Sequence, residues 1–353
     1  MTATMFAAAP LAQLAQLAQL AQLAPLAQFA QFAQFAVNPQ SGYALPPRWG
    51  WYIVLYFFLG GLAAGSYATA TLLDLVGDPR DRDAVDLGYL IAFPLVVACG
   101  LLLVVDLGVP LRFWHMLVQS ENVPELLFKW WSPISVGTWV VAAFGFFAFV
   151  SFVGALVERG TIRWAPLVRL DRWARARPRP VTALWGVLGA FFGFFLGGYT
   201  GVLVTGTSVP VWHNSQLMGA LFLISAASTS YALLMILLMR RRGRSPHDGT
   251  VEKLARADRW AILMEIVVLA VMVALLGRLA RPIVAGGFGV VFWLGVVLVG
   301  LLVPLALHGR RVGRMSEERR ATLGAACVLA GGLLLRFVVV MAPQWPGVRP
   351  WSL

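Results

Sequence analysis

Eight times between residues 50 and 342 the chain runs for 20 or more residues with hardly a charge. At 1.5 Å per helical residue, such a run crosses a hydrocarbon core about 30 Å thick. Lipid offers no partner to backbone N–H and C=O groups, so the runs must fold as helices. The predicted spans are 50–76, 85–107, 133–157, 181–204, 213–239, 258–278, 286–307 and 320–342. Only 12% of residues are charged and 59% are hydrophobic. A soluble domain carries about 25% charged residues, which excludes an ordinary soluble enzyme. The same hydrophobicity excludes a disordered chain. An outer-membrane barrel is excluded because its strands alternate apolar and polar residues. The expected fold is all-α: a polytopic integral membrane protein of eight transmembrane helices, packed as two four-helix bundles. The membrane domain is set at 48–345, with a Leu-Ala-Gln-rich extension at 1–47 and a short tail at 346–353. The triplet repeat of the extension drifts by about 60° per step around a helix, so it builds no apolar face.

The arginines orient the bundle. Twenty of the 28 Lys and Arg residues fall in the loops after the first, third, fifth and seventh spans, against six on the other side. By the positive-inside rule, both termini and the 2–3, 4–5 and 6–7 loops face away from the cytoplasm. In a bacterial inner (cytoplasmic) membrane that side is the periplasm. The net charge of +12 is thereby assigned to membrane orientation, with lipid as the surroundings and no nucleic acid partner.

The sequence brings few groups able to carry electrons. Its two cysteines, Cys99 and Cys327, fall short of the four ligands an iron–sulfur cluster takes. Its four histidines, His115, His213, His247 and His308, place no pair inside the bilayer to ligate a haem. No Cys/His cluster has the spacing of a metal site. No haem or metal is expected, and the apolar candidate for redox chemistry is a quinone. Its reduction takes up two protons and calls for acid and base groups nearby.

Ionisable groups within a membrane are expensive, so each is a candidate for function. Counting along the helices places Tyr56, Tyr199, Asp106, His213 and Arg336 in the outer third, with Arg112 and His115 in the adjoining 2–3 loop. A plain structural reading accompanies each: Asp106 pairing with Arg112, the tyrosines as belt aromatics, His213 as a helix cap. Arg336 needs a carboxylate or carbonyl partner, and Asp106 is the expected one. Glu265 stands apart toward the cytoplasmic end of its span, where it pairs with Arg259 or begins a proton path. Gly189, Gly193, Gly197 and Gly201 form a stripe that admits a neighbouring helix closely, or leaves a flat slot for a planar ligand.

Six stretches carry a family resemblance. They are Trp49-Gly-Trp with Leu59-Gly-Gly-Leu-Ala-Ala-Gly65, and Asp106-Leu-Gly-Val-Pro-Leu-Arg-Phe-Trp-His115. Ser132-Pro-Ile-Ser-Val-Gly-Thr-Trp139 and Tyr199-Thr-Gly-Val-Leu203 follow. The last two are Pro210-Val-Trp-His213 leading into Leu221-Phe-Leu-Ile-Ser225, and Leu335-Arg-Phe337 ending in Met341-Ala-Pro-Gln344. In this order, over 48–345, the sequence resembles the NrfD/PsrC family of membrane subunits. Its eight spans are similar to the polysulfide-reductase subunit rather than the ten-span subunits of alternative complex III. The resemblance implies a quinone-binding subunit of a multi-subunit oxidoreductase in which electrons pass between the quinone pool, menaquinone or ubiquinone, and a docked ferredoxin-like iron–sulfur subunit. The periplasmic side also holds a catalytic subunit of molybdopterin or related type. The resemblance further implies that Tyr56 and Tyr199 line the headgroup, and Arg112 and Trp212 are the other candidates for binding it. Asp106, Arg259 and Arg336 match positions that the family uses for proton movement; by their own placement His115, His213 and Glu265 join them as candidates to handle protons, with proton translocation as an accompaniment. The sequence departs from the family at Tyr56, where the polysulfide-reductase member has a histidine. It departs again at Ala342-Pro343-Gln344, which replaces the usual Gly-Gln. Two other readings stay open on sequence alone: an eight-helix ion or solute transporter, and a purely structural membrane anchor.

Overall fold

The computed structural model describes residues 48–118, 125–241, 246–309 and 316–344. The Leu-Ala-Gln extension and the short tail lie outside the described residues. The long helices are α1 (Trp51–Val76), α2 (Arg82–Asp106), α3 (Pro133–Glu158), α4 (Arg179–Thr205), α5 (Met218–Met239), α6 (Gly249–Leu276), α7 (Gly286–Leu307) and α8 (Glu317–Met341). All eight are long and apolar enough to cross a membrane.

Local chemistry sets the helix starts. Ser132 accepts a hydrogen bond from the Ser135 N–H ahead of Pro133, and Ser316 caps α8 in the same way. Asp248 accepts from the Thr250 N–H and opens α6 nine residues before the predicted span. Side-chain capping of otherwise unpaired N–H groups typically contributes about 1 kcal/mol. The sequence count missed this extension because its first two turns carry Glu252, Lys253 and Arg256. The predicted fifth span also divides, into a short turn at Pro210–His213 and α5 proper.

The two expected bundles are present. In the first, α1 packs on α2 and α4, and α3 closes the ring against α2 and α4. In the second, α5 packs on α6 and α8, and α7 on α8. The seam consists of α1 against α5 and α8, together with α4 against α5. The middle of α7, Val291–Leu302, is π-helical, and at Gly300 its backbone touches Gly331 of α8 so closely that neither position has room for a methyl group. The glycine stripe of α4 is filled by neighbouring groups: the Tyr67 ring at Gly189, Phe144 and Ala64 at Gly193, Leu223 at Gly197, and the Met218 carbonyl at Gly201. It forms a packing surface and leaves no flat slot.

Polar ties hold each end of the molecule. At the arginine-rich end, Arg82 bridges Asp74 at 2.9 Å and Glu158 at 2.5 Å. The buried Asp81 carboxylate accepts from Lys253 Nζ and Thr250 Oγ1, each at 2.8 Å, and joins the two bundles. At the opposite end the Trp49 N–H donates to Gln344 Oε1 at 2.8 Å, and Gln344 Nε2 donates back to the Trp49 carbonyl at 3.2 Å.

Gly65 of α1 faces the Ala226 carbonyl and the Ser230 hydroxyl of α5 with no room for a side chain. Gly65→Val is expected to force the seam apart and to destabilise the fold by about 1–3 kcal/mol, the usual effect of overpacking. Gly100→Ala, at a position open to the surroundings, should leave it unchanged. Thermal melting of the detergent-purified variants checks both.

Candidate functional site

Arg336, 1% exposed, organises the most polar region of the interior. It lies five residues, about 7.5 Å, before the end of α8. Its Nη1 donates to Ser225 Oγ at 2.6 Å and to the Gly332 carbonyl at 3.0 Å, and its Nη2 donates to the Phe222 carbonyl at 3.1 Å. The Ser225 hydroxyl stands between two charges, accepting from Arg336 and lying beside the Glu265 carboxylate of α6. Glu265 in turn faces Arg336 electrostatically. Seven residues earlier on the same side of α6, the fully buried Asp258 accepts from Ser228 Oγ at 2.6 Å. Seven residues are two turns, so the two carboxylates lie about 10 Å apart along the axis. The result is a file of buried polar groups, Asp258, Ser228, Glu265, Ser225 and Arg336, between α5, α6 and α8.

This arrangement corrects two sequence expectations. Arg336 does not pair with Asp106, which is exposed at the end of α2. Its counter-charge is Glu265, deeper along α6 than the span boundaries implied because the helix starts nine residues earlier. Nor do Glu265 and Arg259 form the expected pair: Arg259 is exposed, and the groups facing the carboxylate are Ser225 and Arg336. Sequence reasoning missed Asp258, Ser225 and Ser228. The seven-residue spacing of Asp258 and Glu265 was the available signal.

A second polar region lies across the seam. Tyr56 of α1 is buried, 2% exposed, beside Tyr199 of α4 and Cys99 of α2. The Tyr199 hydroxyl donates to the Pro133 carbonyl at the start of α3 and packs on Gly137. The Tyr56 hydroxyl makes no hydrogen bond among the described residues. An aromatic chain links this phenol to the guanidinium. The rings of Tyr56 and Phe57 are 5.4 Å apart and those of Phe57 and Phe222 are 5.8 Å apart, while Arg336 lies 5.1 Å over the Phe222 ring.

The remaining expected residues gather at the same end of the molecule without forming one contact set. Arg112 and His115 lie on a 3-10 turn, Pro110–Met116, after α2. Asp106 and Arg112 form no ion pair among the described residues. His213 ends the Pro210–His213 turn, and its Nδ1 is buried with no hydrogen-bond partner among the described residues. Trp212 is fully buried, with Nε1 donating to the Val339 carbonyl at 2.7 Å and its ring stacked on Trp49. Its indole N–H thereby fixes the 4–5 loop to α8. Among the described residues, no three His, Cys, Asp or Glu side chains gather as a metal site.

Fold and site together define a polytopic all-α membrane protein whose two bundles share a buried polar seam. The family model described as polysulphide reductase, NrfD, matches residues 39–346, and the chain belongs to that family. It is 29% identical to the C component of polysulfide reductase from Wolinella succinogenes over 317 residues, covering 84% of this protein and 94% of that one. It is 28% identical to protein NrfD of Escherichia coli, covering 84% and 95%. Against the C component of selenate reductase from Mesobacillus selenatarsenatis the identity is 23%, covering 85% and 76%.

Removing one partner of a buried ion pair strands the other, typically costing about 3–5 kcal/mol. Glu265→Leu is therefore expected to lower the melting temperature sharply. Adding Arg336→Met, which removes the stranded charge, should restore most of it. A double-mutant comparison by thermal melting in detergent reads the coupling.

Proposed function

We propose that this protein is the quinone-reactive membrane subunit of a multi-subunit oxidoreductase, exchanging electrons between a membrane quinone and an iron–sulfur subunit docked at the end opposite the arginine-rich loops. The assembly also includes a catalytic subunit of molybdopterin or related type. Family membership supports this reading, as do relatives named as parts of polysulfide and selenate reductases. The observation that carries it to a site is the Tyr56 phenol, buried beside Tyr199 with no hydrogen bond to any described residue. The ring is buried, its hydroxyl keeps a free donor, and a quinone carbonyl oxygen is an acceptor that would take it.

In this mechanism Tyr56 donates to one headgroup oxygen, and the Tyr199 oxygen, its proton donated to the Pro133 carbonyl, accepts from the quinol hydroxyl on the second side. Arg112 and Trp212 close the outer rim. Asp106, His115 and the unpartnered Nδ1 of His213 take up or release the two protons at the surface. The protein adds no redox centre to this scheme, so electrons pass directly between the bound headgroup and the partner's cluster. Arg336 holds positive charge behind Phe222 and Phe57, which favours electron density on the headgroup. Glu265 and Asp258, each beside a serine, continue a file of groups able to relay protons into the second bundle. Arg259 lies near its Asp258 end. The membrane is the bacterial inner membrane, with both termini periplasmic.

Tyr56→Phe and Tyr199→Phe are each expected to weaken quinone binding by about fivefold, the equivalent of one hydrogen bond, while the subunits still assemble. Quinol-analogue quenching in nanodiscs reads the affinity, and co-purification reads assembly. Unchanged binding in both variants would remove the phenols from the site. A protein that purifies without any iron–sulfur subunit would instead favour the transporter.

A further inference from the structure

The helix Ala165–Arg175, between α3 and α4, is too short and too charged to span. It is nevertheless folded firmly against the bundle. Arg175 Nη2 donates to the Gly154 carbonyl of α3 at 3.1 Å, its Nη1 meets Glu158 at 3.0 Å, and its Nε meets Asp171 at 2.8 Å. These bonds hold the helix at the level of the last turn of α3, the depth at which spanning segments leave the hydrocarbon. Helical spacing divides its surface into three sectors. Val168, Asp171 and Arg175 turn toward Val157 and Glu158 of α3. Pro166, Leu170 and Trp173 share a second sector, and Leu170 and Trp173 are 58% and 59% exposed. Arg169 and Arg172 occupy the third, exposed and without an ion pair among the described residues. Arg163 and Arg177 flank the ends, and Arg177 lies 3.9 Å over the Trp173 ring.

A helix with one apolar sector, one basic sector and indole rings at its edge has the build of an element lying in the bilayer interface. The apolar sector is exposed, and acyl chains at the level of the last turn of α3 would cover it. Arg169 and Arg172 form no ion pair among the described residues, although Arg172 also borders the cavity lined by Glu158 and Asp171, and guanidinium matches a phosphate oxygen pair. We propose that Ala165–Arg175, with Arg163 and Arg177, lies in the headgroup layer at the arginine-rich end and binds the phosphodiester groups of anionic phospholipids. Leu170 and Trp173 insert beside the acyl chains. Arg169, Arg172 and Arg177 hold the headgroups above them.

The test is lipid retention by the full-length protein, extracted in mild detergent and titrated with phosphatidylglycerol or phosphatidylcholine, read by native mass spectrometry. The native protein should retain phosphatidylglycerol several-fold over phosphatidylcholine, and 0.5 M NaCl should reduce that preference. The triple variant Arg169→Gln, Arg172→Gln, Arg177→Gln should lower phosphatidylglycerol retention by about fivefold or more, given the attraction of each basic residue for an anionic surface. Arg278→Gln with Arg281→Gln, at the opposite end, should have no such effect. Melting in phosphatidylcholine confirms that the triple variant is folded; should it not fold, the salt dependence of the native protein decides. Equal retention of the two lipids by the native protein overturns the proposal and leaves the basic sector to an acidic protein. Full retention by the folded triple variant overturns it as well.

Discussion

A guanidinium buried in a lipid-embedded bundle must find its partners within the protein, and that requirement arranges much of this structure. Arg336 is bonded to a carbonyl of its own helix, to a carbonyl and a hydroxyl of α5, and faces a carboxylate of α6. Those groups come from three helices, so the register of α5, α6 and α8 is fixed at one depth. Gly61 of α1 sits against the same guanidinium, where an added methyl group would press on Ala226 at 3.1 Å and on Arg336 at 3.4 Å. The seam between the bundles is therefore built around a charge, and the dry packing of glycines, alanines and aromatics surrounds it.

The charge sits where the two halves of the molecule meet. Phe57 and Phe222 separate it from the phenol pair of the first bundle, and Ser225 connects it to the carboxylates of the second. In low dielectric such a charge acts over a longer range than in water, so under the function proposed above a ligand in one bundle would bear on the protonation of the other. Geometry of this kind can couple an event at Tyr56 to one at Glu265 without a large movement of either helix.

Much of the fold was legible because a bilayer imposes simple rules. Run length gave the spans, and the apolar runs left room for eight helices in two bundles. The site was less legible because it depends on where helices begin. Asp248 caps α6 two turns earlier than hydropathy indicates, and that moves Glu265 from an inner position to one facing Arg336. Asp258, at the edge of the expected span, turned out to be fully enclosed. Arg336 was recognised as needing a partner, yet the nearest carboxylate by simple depth, Asp106, faces outward from α2. Depth along a helix can be counted from sequence, whereas the azimuth of each helix around its axis is fixed only by packing. Trp212 shows the same limit: its place in a motif is visible in the sequence, but its bond to the Val339 carbonyl is not.

The reciprocal bonds between Trp49 and Gln344 have a consequence for how the protein is made. The two residues are separated by 295 positions, so the outer end of α1 finds its partner only after α8 has been inserted. Until then the amide of Trp49 and the indole of Trp51, which stacks on Phe337, are without the groups that cover them. A polypeptide cut short before α8 would therefore leave the outer end of α1 without the groups that cover it here.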